Sequence, residues 1–184
     1  MRQPIEDKPL IREPGSLLER TLAATTYRAE TPNGMISAVS DGGNDWYAVT
    51  FTFHDQMARR AGEAKVERDI VAVGRLVFAQ WLRAWREAKR VSGTDGEIAM
   101  TPRRQAWAEE RDAMVVEGTS ADGRIAVASV GLLSWSARLA PGTCAALDDA
   151  ALGRALTEAG RDLTTRWRVM MRELNRRHFF GDRQ

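Results

Sequence analysis

The chain has 184 residues, 43% of them hydrophobic, and its 27 Lys and Arg nearly balance 25 Asp and Glu for a formal charge of +2. That length and balance suit one medium domain or two small ones with a real core, and exclude a disordered chain, a collagen-like rod and a coiled coil. No window approaches 18 uninterrupted apolar residues and the first 14 residues hold no apolar run, so the expectation is a soluble cytoplasmic protein without a membrane span or cleaved signal peptide. A single cysteine, Cys144, excludes an internal disulfide, and with two histidines it is too thin a set for a zinc site. Of the basic residues 24 are Arg and 3 are Lys, a bias that base composition explains as readily as chemistry does.

Residues 1–14, with Pro4, Pro9 and Pro14 and no periodicity, read as a loose arm. Ser16 can cap a short helix, with Glu19 completing a capping box and Leu17, Leu18 and Leu22 on one side. Next, β-branched and aromatic residues combine with the turn signals Asn33-Gly34 and Asp41-Gly42-Gly43, predicting a meander over 25–31, 35–41 and 45–53. In its last strand Trp46, Ala48, Thr50 and Thr52 alternate with Tyr47, Val49, Phe51 and Phe53, and the second set should face the core. From Ala64 to Arg90 the period changes to 3.6, with Val66, Ile70, Val73, Val77, Trp81, Ala84 and Ala88 on one stripe of a long helix. The Gly-rich stretch from Val91 to Gly96 ends it.

The order then repeats. Thr101-Pro102 opens a second short helix. A second meander follows, with Asp122-Gly123 and Gly131 at its turns and Ile125, Val127 and Ser129 on one face. Asp148 or Asp149 can cap a helix from about Ala150 to Asn175 bearing Leu152, Leu156, Ala159, Leu163, Trp167, Met170, Met171 and Leu174. The expected organisation is an arm over 1–14, units over 15–92 and 97–177, and a tail over 178–184. Gly34, Gly42 and Trp46 match Gly123, Gly131 and Trp135 at an offset of 89. In the long helices Arg68, Gly74, Arg75, Trp81, Arg86, Glu87 and Arg90 match Arg154, Gly160, Arg161, Trp167, Arg172, Glu173 and Arg176 at 86. Shared order and matched Gly and Trp point to an internal duplication.

Each repeat is an α-β-β-β-α unit whose second strand opens with Gly34-Met35-Ile36 or Gly123-Arg124-Ile125 and meets another Gly eight residues on. This resembles the YbaB/EbfC nucleoid-associated family, whose Asp-Pro turn after the third strand is approximated by His54-Asp55 and Ala140-Pro141. The resemblance implies an α+β fold of two tandem YbaB-like units forming a pseudo-dimer. It also implies a non-enzymatic protein without cofactor that binds double-stranded DNA with little sequence preference, one polypeptide standing where the family uses a homodimer. The family's first helix forms long arms, whereas residues 16–26 and 101–114 allow only short ones. Similar folds in actinobacterial type VII secretion-associated proteins imply the alternative, a protein-interaction or chaperone-like module that has lost DNA binding.

The residues themselves offer one pointer to nucleic acid. Arg154, Arg161, Arg168, Arg172 and Arg176 recur at spacings of 7, 7, 4 and 4, and Arg68, Arg75, Arg86 and Arg90 hold the equivalent face. Such ranks suit successive phosphates. The competing expectation is a solvated face neutralised by Glu67, Asp69, Glu87, Glu158 and Glu173 near one helical turn away. Arg103 and Arg104 fall in a first helical turn, where the dipole disfavours cations, and join the candidate phosphate contacts. Trp46, Trp81, Trp135 and Trp167 read as packing residues, while Trp85, Trp107, Phe179 and Phe180 are candidate partner contacts. His54 beside Asp55 has no Ser, Cys or second His at a recognisable spacing and reads as a turn residue. Cys144 reads as a packing residue, and no phosphate loop or metal motif stands out.

Overall fold

Ser16 Oγ accepts the Glu19 N–H and the Glu19 carboxylate accepts the Ser16 N–H, so the expected capping box opens α1 (Leu17–Ala23). The computed structural model describes residues 16–40, 48–93 and 101–179. After α1 come β1 (Tyr27–Glu30), β2 (Ile36–Ser40), β3 (Thr50–Phe53), α2 (Met57–Ala61) and α3 (Glu63–Val91). The order recurs in α4 (Pro102–Ala113), β4 (Val115–Thr119), β5 (Ile125–Val130), β6 (Ser134–Leu139), α5 (Thr143–Ala146) and α6 (Asp149–Phe179). The fold is therefore α+β, with two three-stranded antiparallel sheets ordered β1-β2-β3 and β4-β5-β6. Two features depart from expectation: α2 and α5 are additional, and α6 continues past Asn175, taking His178 and Phe179 into the helix. The arm over 1–14, the Asp41-Gly42-Gly43 turn with Trp46 and Tyr47, residues 94–100 and Phe180 lie outside the described residues.

Both hairpins turn on the same chemistry. Thr31 N–H donates to Ile36 O, Ile36 N–H to Thr31 Oγ1 and Met35 N–H to Asn33 Oδ1, and Gly34 takes a φ of +71°. At an offset of 89, Ser120, Ile125, Arg124, Asp122 and Gly123 (φ +70°) repeat every one of these roles. A short side chain two residues before the turn's end satisfies the backbone, and glycine supplies the left-handed step.

Strand register corrects one sequence equivalence. Ile36 stands opposite Phe53 and Ile125 opposite Leu139, so the third strands correspond at an offset of 86 rather than 89. Trp135 stands opposite Ser129, whose counterpart is Ser40. Continuing the β2–β3 register past Val39 and Thr50 makes Val49, not Trp46, the counterpart of Trp135. The three-residue difference between the halves thus falls in the turn before the third strand, where a loop absorbs it at little cost.

The long helices are exchanged between the sheets. α3 packs on β1 and β2 of its own sheet and on β6 of the other, while α6 packs on β4, β5 and β3. Hydrogen bonds tie the exchange in both directions. Phe51 N–H donates to Thr157 Oγ1 at 3.0 Å and Gln56 N–H to Asp149 Oδ2 at 2.8 Å. Reciprocally, Leu139 N–H donates to Glu67 Oε1 at 2.8 Å and Cys144 N–H to Glu63 Oε1 at 3.2 Å. Thr119 N–H on β4 donates to Asp162, so three edge strands give donors to a helix rather than leaving them open to pairing with another chain.

A single apolar core follows, drawing Ile36, Phe53, Val66 and Val73 from the first half and Ile125, Leu139, Leu156 and Leu163 from the second. Each such side chain contributes about 1.5–3 kcal/mol on full burial. At its centre the equivalent glycines Gly74 and Gly160 face rings from the opposite half, Trp135 and Phe51. A cavity of about 70 Å³ lies between them.

Candidate nucleic-acid interface

Helix geometry sorts the arginines first. At about 100° per residue, Arg154, Arg161, Arg168, Arg172 and Arg176 fall within an arc of about 80°. The core residues Leu156, Leu163 and Leu174 lie on the opposite side of α6. On α3, Arg68, Arg75, Arg86 and Arg90 span about 60°, again opposite Val66, Ile70 and Val73. All nine are exposed. Each long helix carries seven Lys or Arg and four Asp or Glu, a surplus of three against +2 for the whole chain. The rest of the sequence is accordingly acidic on balance, and the positive field is concentrated on these two elements.

The acidic side chains of the same helices are committed elsewhere. Glu63, Glu67, Asp149 and Glu158 accept backbone N–H groups of Cys144, Leu139, Gln56 and Ala121. Asp69 is buried and accepts both Lys65 Nζ and Asn33 Nδ2, the latter at 2.7 Å. Asp162 takes Thr119 N–H and Arg166. Among the described contacts of these helix carboxylates, Glu87 and Glu173 serve the ranks, gripping Arg90 and Arg176 at i,i+3, and those guanidinium groups hold the two carboxyls below the usual carboxylate range. The expected neutralisation by Glu67, Asp69 and Glu158 is therefore corrected: the strand edges and Lys65 claim those groups. Among the described residues, Arg68, Arg75, Arg86, Arg154, Arg161 and Arg172 make no ion pair.

The remaining candidates are placed as follows. Arg103 is exposed and Arg104 half-buried in the first turn of α4, where Thr101 Oγ1 accepts the Arg104 N–H. Trp107 is turned onto α6: its Nε1 donates to Asn175 Oδ1 at 2.9 Å, and its ring meets Phe179 and carries the Arg111 guanidinium at 4.9 Å. Beside it Glu110 binds Arg177 at 2.9 Å and His178 at 2.8 Å, so Trp107 and Phe179 clasp α4 to the end of α6. Trp85 stacks on Trp81, which stacks on Phe78, at 5.8 and 5.7 Å. Trp81 is thus half-buried in a ring row, while Trp167, its counterpart, is buried in the core.

Sequence spacing missed one pair. His54 Nε2 lies 2.8 Å from Ser37 Oγ across the outer face of the first sheet, a contact that only the β2–β3 register could have revealed. The counterpart positions hold Ala126 and Ala140. Cys144 is buried, and burial, with Glu63 and Glu67 nearby, pushes its thiol up to about 11, far from a nucleophile's range. Among the described residues no three His, Cys, Asp or Glu side chains are gathered to hold a metal ion, and no helix is long and apolar enough to cross a membrane. No protein-family model, curated protein or solved structure matches the chain.

Proposed function

We propose that the chain is a non-enzymatic, sequence-tolerant DNA-binding protein of the nucleoid-associated kind, cytoplasmic, with two tandem YbaB-like units forming a pseudo-dimer in one polypeptide. One observation carries the reading: two helical ranks of exposed arginines, of whose eight helix carboxylates Glu63, Glu67, Asp149 and Glu158 are held by backbone donors while Glu87 and Glu173 pair with the ranks. From Arg68 to Arg90, and from Arg154 to Arg176, each rank runs about 33 Å, close to one turn of B-form duplex. Guanidinium contacts to phosphate position a protein without reading bases, which is the chemistry of sequence-tolerant binding. The pseudo-dimer draws support from the reciprocal helix exchange and the repeated turn bonds, since a homodimer of single units would make the same exchange between subunits.

The test is fluorescence anisotropy of a labelled generic duplex at roughly 50 and 200 mM salt, where several phosphate contacts lose orders of magnitude in affinity. Binding should be strong at the lower salt, collapse at the higher, and disappear in Arg75→Glu plus Arg161→Glu. No binding at the lower salt defeats the proposal. A second reading, a protein-interaction module of the type VII secretion-associated kind, draws on the half-buried Phe78, Trp81 and Trp85 row. Its partner binding would survive salt and fail on Trp85→Ala.

A further inference from the structure

Strand β3 and helix α6 meet almost without side chains between them. A Cβ at Gly153 would stand 2.7 Å from Phe51 O, and Thr157 Oγ1 accepts the Phe51 N–H at 3.0 Å. The open side of this contact is a groove with Thr50 and Thr52 on its strand wall and Arg154 and Arg161 on its helix wall. Two carboxylates also border it, Asp149 and Glu158; each still brings its negative charge but is held by a backbone N–H rather than by either arginine. The two arginines are seven residues apart, about 10.5 Å along the helix, close to the axial rise of three nucleotides in one strand. Threonine hydroxyls on the facing wall can donate to phosphate oxygens.

The exchanged contact between β6 and α3 places the same chemistry at the counterpart positions. Ser136 and Arg138 replace Thr50 and Thr52, Arg68 and Arg75 replace Arg154 and Arg161, Ala72 replaces Glu158, and Glu63 and Glu67 stand at the positions of Asp149 and Gly153, each accepting a backbone N–H of the other half. Ser136, Arg138, Arg68 and Arg75 are all exposed. We infer that each strand–helix groove tracks one run of phosphates, so that the chain grips the two strands of a duplex in two composite grooves that neither half builds alone. This rests on the DNA-binding reading above and narrows it to a place and a partner form, duplex rather than single strand.

The experiment uses the full chain and a labelled duplex across roughly 50 to 200 mM salt, with melting curves to confirm that each variant is folded. Arg154→Gln plus Arg161→Gln removes two phosphate contacts and should lower the salt slope by about 1.8, making the affinity loss across that range about tenfold smaller. Arg68→Gln plus Arg75→Gln should do the same, and all four together should remove about a 150-fold salt effect. Thr50→Asp plus Thr52→Asp takes away no arginine, yet it lines the strand wall with negative charge and should weaken binding severalfold. Binding that ignores all these changes but is abolished by Arg86→Gln plus Arg172→Gln overturns the grooves and leaves the DNA-binding reading standing. Tighter binding to a single strand than to the duplex overturns the two-strand grip. Failure of the unaltered chain to bind at the lower salt overturns both readings together.

Discussion

A single methyl group at Gly118 tests how firmly α6 is seated. Gly118 is buried on β4, and a Cβ there would lie 2.7 Å from Leu163 Cα and closer still to Ala159 O and Leu163 N. These are helix backbone atoms, so no rotamer change relieves the overlap. α6 must retreat by about 1 Å before the carbons reach an ordinary separation of about 3.5–4.0 Å. Overpacking costs about 1–3 kcal/mol, and an unyielding backbone places Gly118→Ala near the upper end. Alanine recovers about 0.5–1 kcal/mol because glycine loses more chain entropy in a strand, leaving a net loss of about 2 kcal/mol. In a chain of this size that lowers Tm by about 4–8 °C, read by calorimetry or circular dichroism, and lowers the urea midpoint at unchanged slope. The counterpart position already carries Ala29, buried beneath α3, so the demand for glycine comes from the closer approach of α6. An unchanged or raised Tm would refute that close seating.

Three further outcomes follow from the structure. Cys144, its thiol pushed up to about 11, should resist iodoacetamide near pH 8 until urea opens the fold, and prompt labelling of the native chain would contradict its burial. Because that shift is upward, the associated stability is complete below the ordinary thiol value near 9 and is lost as pH rises toward about 11. Gln56 holds a φ of +53° where its counterpart Gly142 holds +80°, so Gln56→Gly should gain about 0.5 kcal/mol in urea unfolding, relief of left-handed strain exceeding the added chain entropy; a lower midpoint would count against the strain. The Glu110 carboxyl is held below its ordinary value by His178 first and Arg177 second, so its contribution is present above the usual carboxylate range and is lost as pH falls through its lowered value. Lowering the pH should loosen the α4–α6 clasp, seen as smaller amide-exchange protection factors at the end of α6 once the intrinsic pH dependence of exchange is divided out, and Glu110→Gln should show the same loss of protection already at neutral pH.

Much of this fold is legible in the sequence because local chemistry decides it. The Asn33-Gly34 and Asp122-Gly123 turns, the Ser16 and Thr101 caps and the apolar stripes of the long helices each need only neighbours a few residues away. The Trp46 and Trp135 match misled because the stretch before the third strand is three residues shorter in the second half, so an equal offset no longer marks an equal place in the strand. α2 and α5 are too short to carry a period. The exchange of helices is set by contacts such as Glu67 with Leu139, 72 residues apart, which no local pattern encodes. For the site, the arginine periodicity was visible, whereas the fate of its carboxylates was not. A glutamate near an arginine reads as its partner until an unsatisfied strand edge is seen to claim it.

That competition also separates structural from functional polar residues within the chain. The bonds closing strand edges change position between the halves, for Glu67 has Gly153 as its counterpart, Thr157 has Val71 and Asp162 has Leu76, whereas Glu63 and Asp149, which accept N–H groups beyond the third strands, correspond. A buried donor must be satisfied, but any acceptor within reach will serve, so under the proposed duplication such contacts are free to drift. Four arginines of each long helix behave differently, while the exposed Arg83, Arg166, Arg168 and Arg177 have Val169, Gln80, Leu82 and Val91 as counterparts. Arg68, Arg75, Arg86 and Arg90 keep Arg154, Arg161, Arg172 and Arg176 as counterparts, although most of them make no ion pair that the fold would miss. Stability gives little reason to hold exposed cations in register, since exposed pairs contribute only about 0–1 kcal/mol and unpaired ones less. Under the proposed function, a ligand with a regular spacing of negative charge, met by both halves, supplies that reason.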